Sequence, residues 1–176
     1  MGKITKPYPV KLIIGFIFKD EMFYRKSKII LERVFSKVDF ESPSLPFFHT
    51  TYYQKEIGSN LLRKFVSFKK LIKHEELPGI KVFTNKIENK LSQDGLRQIN
   101  IDPGYLDLAK VVLASAKDYK HRIYSGKGIY AEITLFYQDK TFQPWEWTYP
   151  DYRTPEYIRL FNQIRQIYAD QAKKIR

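Results

Sequence analysis

Residues 100–153 hold an unusual density of side chains that could bind an anion or transfer a proton. Carboxylates, cations and phenols are interleaved there with short Gly and Pro turns. This mixture is more typical of a polar site on a sheet than of an apolar core. The groups that could neutralise a phosphate or stack on a base are Lys117, Arg122, Tyr124, Lys127, Tyr130, Tyr152 and Arg153.

Glu132 is the candidate catalytic residue, and His121 is the candidate to assist it. Residues 129–137 alternate between two sets of side chains, which predicts a strand. One face would turn to the core and carry Ile129, Ala131, Ile133, Leu135 and Tyr137. The opposite, open face would carry Tyr130, Glu132, Thr134 and Phe136. On that face Glu132 could act as a general base, bind a metal ion, or form an ion pair with Arg122 or Lys64.

Three shorter motifs resemble parts of known sites that bind or cleave phosphate-bearing ligands. Ser125-Gly126-Lys127-Gly128 could aim backbone N–H groups and one ammonium at a phosphate, although a hairpin turn with an exposed lysine is its commoner meaning. His49-Thr50-Thr51 matches the H-x-(S/T) motif of two-histidine phosphoesterases, but a second copy would need a hydroxyl where Ile123 stands. Thr84-Asn85-Lys86-Ile87-Glu88 departs from the guanine-binding NKxD pattern at Glu88. The three histidines show no metal-ligand spacing, so no metal site is predicted, although Glu132, Asp102 and Asp151 offer oxygen ligands of the kind that Mg²⁺ binds.

Composition bounds the class of protein. A chain of 176 residues predicts a single domain over residues 1–176. The chain has no cysteine, which excludes disulfides and thiol catalysis and fits a reducing cytoplasm. The longest apolar run, residues 12–18, is too short to span a bilayer, so no membrane partner is expected. The net charge of +12 favours a polyanionic partner such as RNA or a nucleotide, although it also suits a generally basic protein.

The elements that must position these groups form a mixed pattern. Strands are predicted at 10–18, 47–53, 62–68, 97–101, 122–124 and 129–137. Helices are predicted from 20 to 37, 77 to 91, 106 to 116 and from 154 onward, with Asp20 and Asp102 as caps. Residues 41–46 are predicted as a loop. The order predicts an α+β fold, with a mixed, largely antiparallel sheet and helices packed mainly on one face.

Several motifs together resemble a family of small bacterial proteins described as a domain of unknown function. They are Tyr52-Tyr53 with Glu56 and Gly58, Thr84-Asn85-Lys86, Asn100-Ile101-Asp102-Pro103-Gly104-Tyr105, Lys117-Asp118 with His121-Arg122-Ile123-Tyr124, Gly126-Lys127-Gly128-Ile129-Tyr130-Ala131-Glu132, and Trp147-Thr148-Tyr149-Pro150-Asp151-Tyr152-Arg153. The chain departs from the family pattern at Ile57, where methionine is expected. The resemblance implies a single-domain bacterial cytoplasmic protein and assigns no reaction. Some members carry the label of GTP-binding protein, but this chain has no GxxxxGK(S/T) phosphate loop.

Three hypotheses follow from the sequence. The first is a protein that binds a phosphate-bearing ligand, a nucleotide or RNA, on the polar face of the sheet. The second is an enzyme for a small phosphorylated or anionic substrate, with Glu132 as base or metal ligand and His121 or His49 assisting. The third is a partner-binding protein without a small ligand, in which Glu132 and its neighbours form a satisfied internal network.

Overall fold

A computed structural model describes residues 2–48, 53 and 56–175 of the chain. Within these residues nine strands form one sheet, and every strand pairing is antiparallel. The strands are β1 Lys11–Phe18, β2 Val38–Glu41, β3 Leu45–Phe47, β4 Leu61–Phe68, β5 Ile99–Leu106, β6 Lys110–Ser115, β7 Ile123–Gly126, β8 Ile129–Gln138 and β9 Thr141–Pro144. The helices are α1 Glu21–Val34, α2 Leu77–Lys90 and α3 Pro155–Ala172, and short 3₁₀ turns cover His74–Glu76 and Pro150–Arg153. The predicted α+β fold is confirmed.

The sheet order is β2-β4-β1-β5-β6-β8-β7, with β3 also on β4 and β9 also on β8. The first half therefore contains a split β-α-β-β-α-β arrangement, in which α1 joins β1 to β2 and α2 joins β4 to β5. In the second half, β7 and β9 share the outer edge of β8. Along this edge of β8 the two strands leave a gap between them.

Two helices cover one face of the sheet and one covers the other. Leu12, Ile14, Phe16 and Phe18 of β1 pack with α1 and α2 in one apolar core. Ile13 points to the opposite face, where α3 packs over it together with β5, β6, β8 and β9. The cap that the sequence predicts for α1 is present, because the Asp20 carboxylate accepts the Met22 N–H at 2.7 Å. None of the helices in the described residues is long and apolar enough to cross a membrane.

The helix predicted over residues 106–116 is wrong. The segment instead forms the end of β5, a turn and β6, and the Asp102-Pro103 pair predicted as a helix cap lies inside β5. Asp107 nucleates the turn, since its carboxylate accepts the N–H groups of Ala109 at 2.7 Å and Lys110 at 2.8 Å. The β-branched Val111 and Val112 then favour a strand over a helix.

Three short strands were also not predicted. The end of β2 and part of β3 lie in residues 41–46, which the sequence predicts as a loop, while the rest of β2 and all of β9 carry no prediction. Each has only three or four residues, so none shows enough alternation to be recognised. Most of the strand predicted at 47–53, with His49 and its H-x-(S/T) motif, lies outside the described residues.

Candidate functional site

A β-bulge in β8 decides where Glu132 points. Val111 of β6 pairs with Leu135 and Val112 pairs with Ile133, so Thr134 is an extra residue between them. The alternation predicted for residues 129–137 therefore breaks. Ile133 is exposed rather than in the core, and Glu132 is only 2% exposed rather than on an open face. A buried carboxylate needs partners that compensate for its lost hydration.

Glu132 has two cationic or polar partners from the segment before β7. Its Oε2 accepts the Arg122 Nε–H at 2.9 Å and lies 3.0 Å from His121 Nε2. Its Oε1 is 3.5 Å from the Thr134 hydroxyl. The ion pair with Arg122, one of the two that the sequence suggested, is present. Glu132 thus holds Arg122 and His121 in fixed positions.

Arg122 connects three parts of the chain. Besides Glu132, its guanidinium donates to the Lys117 carbonyl oxygen at 2.9 Å and to the Tyr149 hydroxyl at 2.8 Å. Burial opposes its charge, but the hydrogen bonds and electrostatic attraction of Glu132 and Tyr149 together outweigh burial and raise the pKa of Arg122. The guanidinium is therefore a fixed positive charge, oriented by three acceptors.

A stack of aromatic rings forms one wall beside Arg122. Trp147 lies between Trp145 and His121, with ring centroids 5.0 Å and 5.6 Å away and nearly parallel planes. Phe136 backs Trp145 at 4.4 Å, and Tyr119 meets His121 edge-on at 5.2 Å. Both faces of Trp147 are covered, so the rings available to a ligand are those at the end of the stack.

The gap between β7 and β9 on the edge of β8 positions this wall. There the Trp147 indole N–H donates to the Ile133 carbonyl at 3.0 Å, and the Thr148 hydroxyl donates to the Thr134 carbonyl at 2.6 Å. Arg153 holds the same segment by donating to the carbonyl oxygens of Thr148 and Glu146. The guanidinium of Arg153, predicted to bind a ligand, therefore makes backbone hydrogen bonds that support the wall.

These groups border an open cleft of about 600 Å³. The side chains that line it are Lys117, Asp118, Tyr119, Lys120, His121, Arg122, Glu146, Trp147 and Tyr149. Tyr119 is 59% exposed and Tyr149 is 49% exposed, so both present ring surface to solvent. A cleft of this size fits a small ligand. In the described residues no group of three or more His, Asp or Glu side chains is arranged to hold a metal ion.

A second polar cluster lies on the same face of the sheet. Asp102 is two residues from Gly104, which aligns through Leu113 with Glu132, so Asp102 and Glu132 share a face. Arg63, only 2% exposed, donates to the Tyr152 hydroxyl at 2.6 Å and lies 3.5 Å from Asp102. Tyr152, predicted to stack on a ligand, is buried at this position.

Arg63 remains charged at this depth. Burial opposes the charged form, but Tyr152, Asp151 and Asp102 outweigh burial and raise the pKa of Arg63. Its guanidinium also lies 4.8 Å from the ring centre of Phe65 and 5.3 Å from that of Tyr152, which adds cation–π attraction. Gly15 makes room for it, because a Cβ there would lie 3.0 Å from the guanidinium.

Side chains of α2 complete this cluster at an unpaired edge of β5. Within the part of the chain that the structure describes, residues 104–106 of β5 pair with β6, and the outer edge of the rest of β5 has no strand beside it. Lys81 donates to the Ile101 carbonyl at 2.9 Å, and Glu88 accepts the Ile101 N–H at 2.6 Å. Pro103 fits here, since its missing N–H would face this same edge.

The remaining predicted residues, Tyr124, Lys127 and Tyr130, do not line the cleft. Tyr124 and Tyr130 meet edge-on across β7 and β8, with ring centroids 5.5 Å apart. Lys127 sits at the tip of the hairpin, as predicted, with a φ of 55°. Its Nζ lies toward α2, 3.4 Å from the position that a Cβ on Gly79 would take. The structure therefore gathers Lys117, His121, Arg122 and Glu132 at the cleft.

Sequence reasoning missed Arg63 and Lys81, and it left Trp147 and Tyr149 out of the site residues although both lie in the polar and aromatic segment 100–153. Arg63 carried a signal, because it interrupts the apolar strand LLRKFVSF at an inward position. The contact of Tyr149 with Arg122 carried no signal, since the two residues are 27 positions apart in the chain.

Comparison with known proteins gives one match. A protein-family model described as "Domain of unknown function (DUF4416)" matches residues 8–168. No curated protein matches the chain. No solved structure matches it either.

Proposed function

This chain belongs to the DUF4416 family, a domain of unknown function, and we propose that it binds a nucleotide unit, free or as part of RNA, in the cleft beside Arg122. The observation that carries the proposal is the meeting of three cationic side chains and two half-exposed tyrosine rings around one cleft. The cations are Lys117, Lys120 and Arg122, and the rings are Tyr119 and Tyr149. A nucleotide has the matching parts, a phosphate and an aromatic base.

Arg122 supplies the fixed part of the phosphate site. Arginine has five N–H donors, and three of them serve Glu132, Lys117 and Tyr149. Two donors therefore remain for a phosphate oxygen. Because Glu132 and Tyr149 orient the guanidinium before a ligand arrives, binding costs little further ordering. Lys117 and Lys120 add charge at the rim of the cleft.

Tyr119 and Tyr149 supply the ring surface. Base–aromatic stacking contributes about 1–3 kcal/mol per base and tolerates any base. The stack of His121, Trp147 and Trp145 behind Tyr119 keeps this wall in place. We therefore expect modest preference among bases and a clear preference for nucleotides over inorganic phosphate.

We place this protein in the bacterial cytoplasm, where nucleotides and RNA are abundant. The chain has no cysteine, which suits a reducing compartment. Its net charge of +12 favours polyanionic partners.

The test is a calorimetric titration with AMP, UMP and inorganic phosphate. We expect saturable binding of both nucleotides and weaker binding of phosphate. Lys120→Ala should weaken AMP binding several-fold, because it removes a cation that lines the cleft. Lys86→Ala, which removes an exposed lysine on α2, is the matched control and should bind AMP as the parent does. Absence of binding by both nucleotides would refute the proposal.

A second candidate function is acid–base catalysis on the bound phosphate ester. It is favoured by the 3.0 Å contact between Glu132 and His121 Nε2, since a carboxylate that orients a histidine is a feature of hydrolytic sites. The other ring nitrogen, Nδ1, is buried and has no hydrogen-bond partner in the described residues. Acid–base catalysis by His121 needs a ring nitrogen that reaches the ligand, and here one nitrogen contacts Glu132 and the other is buried. Binding is therefore the better supported function.

Chromatography of nucleotides and of a 2′,3′-cyclic phosphate after incubation with the protein decides between the two. Catalysis predicts turnover that is lost in His121→Asn while AMP binding persists. Unchanged substrates at high protein concentration would show that the protein binds these ligands without catalysis.

A further inference from the structure

The aromatic surface does not end at the cleft. It continues along the hairpin of β7 and β8, and we propose that the ligand is a single strand of nucleic acid spanning the cleft and this hairpin. The inference rests on the proposed function and extends it from one nucleotide unit to several.

The strand register makes the surface continuous. Ile123 pairs with Ala131 and Tyr124 pairs with Tyr130, while Arg122 bonds to Glu132 one step before them. Side chains two residues apart on a strand share a face and lie about 7 Å apart. The pair of Tyr124 and Tyr130 therefore follows the pair of Arg122 and Glu132 along one face, leading away from the cleft.

Tyr124 offers a ring to a second base. It is 60% exposed, and Tyr130 supports it edge-on at 5.5 Å with an angle of 67° between the rings. An edge-on partner leaves at least one ring face of Tyr124 uncovered by Tyr130. Exposed aromatic rings in a row beside cations are the elements from which single-strand binding surfaces are built.

The charge of this stretch fits the same ligand. Residues 119–131 contain no Asp or Glu, while Lys120 and Arg122 supply positive charge at the cleft end of this surface. Three tyrosines, Tyr119, Tyr124 and Tyr130, lie in the same stretch. A polymer with one phosphate and one ring per unit matches both features, whereas an acidic peptide matches only the charge.

The test compares UMP with a uridine octanucleotide in fluorescence-anisotropy or calorimetric titrations. We expect the octanucleotide to bind at least tenfold more tightly and to lose affinity steeply with added salt. Tyr124→Ala should weaken octanucleotide binding about tenfold more than it weakens UMP binding. Tyr124→Phe keeps the ring and should retain the octanucleotide affinity.

Ile123→Ala is the matched control, since Ile123 is 72% exposed on the same strand but points to the other side. It should leave octanucleotide affinity unchanged. Equal affinities for UMP and the octanucleotide would overturn this inference and leave the proposed function standing. Equal losses in Tyr124→Ala and Ile123→Ala, or equally tight binding of polyglutamate, would also overturn it. Failure of both UMP and the octanucleotide to bind would overturn the proposed function itself.

Discussion

Arg122 is the residue on which the candidate site depends. Its guanidinium bonds to a side chain of β8, to a backbone carbonyl before β7 and to a tyrosine before the 3₁₀ turn. Three segments distant in sequence meet at one group. A lysine ammonium is a point charge and cannot match this planar set of acceptors.

Arg122→Lys should therefore lower both stability and nucleotide affinity. The loss of hydrogen bonds to a charged partner predicts a decrease of about 2 kcal/mol in the free energy of unfolding. Urea denaturation measures it. Arg25→Lys, on the exposed side of α1, is the control and should change stability by less than about 0.5 kcal/mol. Equal stabilities of the two variants would show that the network around Arg122 contributes little.

At the scale of elements, the β5–β6 hairpin determines how the two polar clusters are arranged. Gly104 allows β6 to approach closely, because a Cβ at this position would lie 2.3 Å from the Val112 carbonyl oxygen. On the N-terminal side of Gly104, β5 no longer pairs with β6. There Lys81 and Glu88 form hydrogen bonds to the free edge of β5 instead.

Gly104→Ala should force β5 and β6 apart and destabilise the protein by about 3 kcal/mol. Thermal or urea unfolding measures the change. Gly79→Ala in α2 is a matched control, since its Cβ would meet only the flexible Lys127 ammonium, at 3.4 Å. The control should stabilise the protein by about 0.5–1 kcal/mol through helix propensity. A tolerated Gly104→Ala would contradict the close approach of the two strands.

The long elements could be predicted from sequence because their patterns are strong. β1, β4, α1, α2 and α3 follow clear apolar runs, capping residues or helical stripes. The helix predicted over residues 106–116 is wrong because an apolar run of that length suits a helix or a strand pair equally. The decisive signal was the Asp107 turn. The prediction that Ile133 lies in the core is wrong because a one-residue bulge cannot be recognised from alternation alone.

At the scale of the molecule, the positions of the predicted site residues depended on contacts between distant segments. The sequence placed Lys117, His121, Arg122 and Glu132 within 16 residues of one another, so their meeting followed from one hairpin. Arg63 and Tyr152 are 89 residues apart, and their contact depends on how the chain crosses the whole sheet. Predicting such contacts requires the order of strands in the sheet, which the sequence pattern did not provide.

Buried tyrosines give the whole molecule a predictable alkaline limit. Burial raises the pKa of Tyr24, Tyr152 and Tyr157 above that of an exposed phenol. The unfolded chain releases these protons near pH 10 and the folded protein does not, so their stabilising contribution is present below about pH 10 and falls above it. Each tyrosine contributes a slope of about 1.4 kcal/mol per pH unit.

Unfolding free energies measured by urea titration between neutral pH and pH 11 test this expectation, with phenolate absorbance followed in parallel. Phenolate should form in these residues only as the protein unfolds. Tyr157→Phe should reduce the alkaline slope by the contribution of one tyrosine. Full phenolate absorbance in a folded protein would contradict the burial of these rings.

The most direct measurement of the central claim is an NMR titration of the labelled protein with UMP and with the uridine octanucleotide. The nucleotide-binding account predicts saturable shifts of the backbone amide signals of residues 117–122 and 146–149, and none in α1. The octanucleotide should extend the shifts to Tyr124. Unchanged signals around Arg122 at saturating ligand, or shifts confined to other parts of the protein, would contradict the account and favour a partner-binding role.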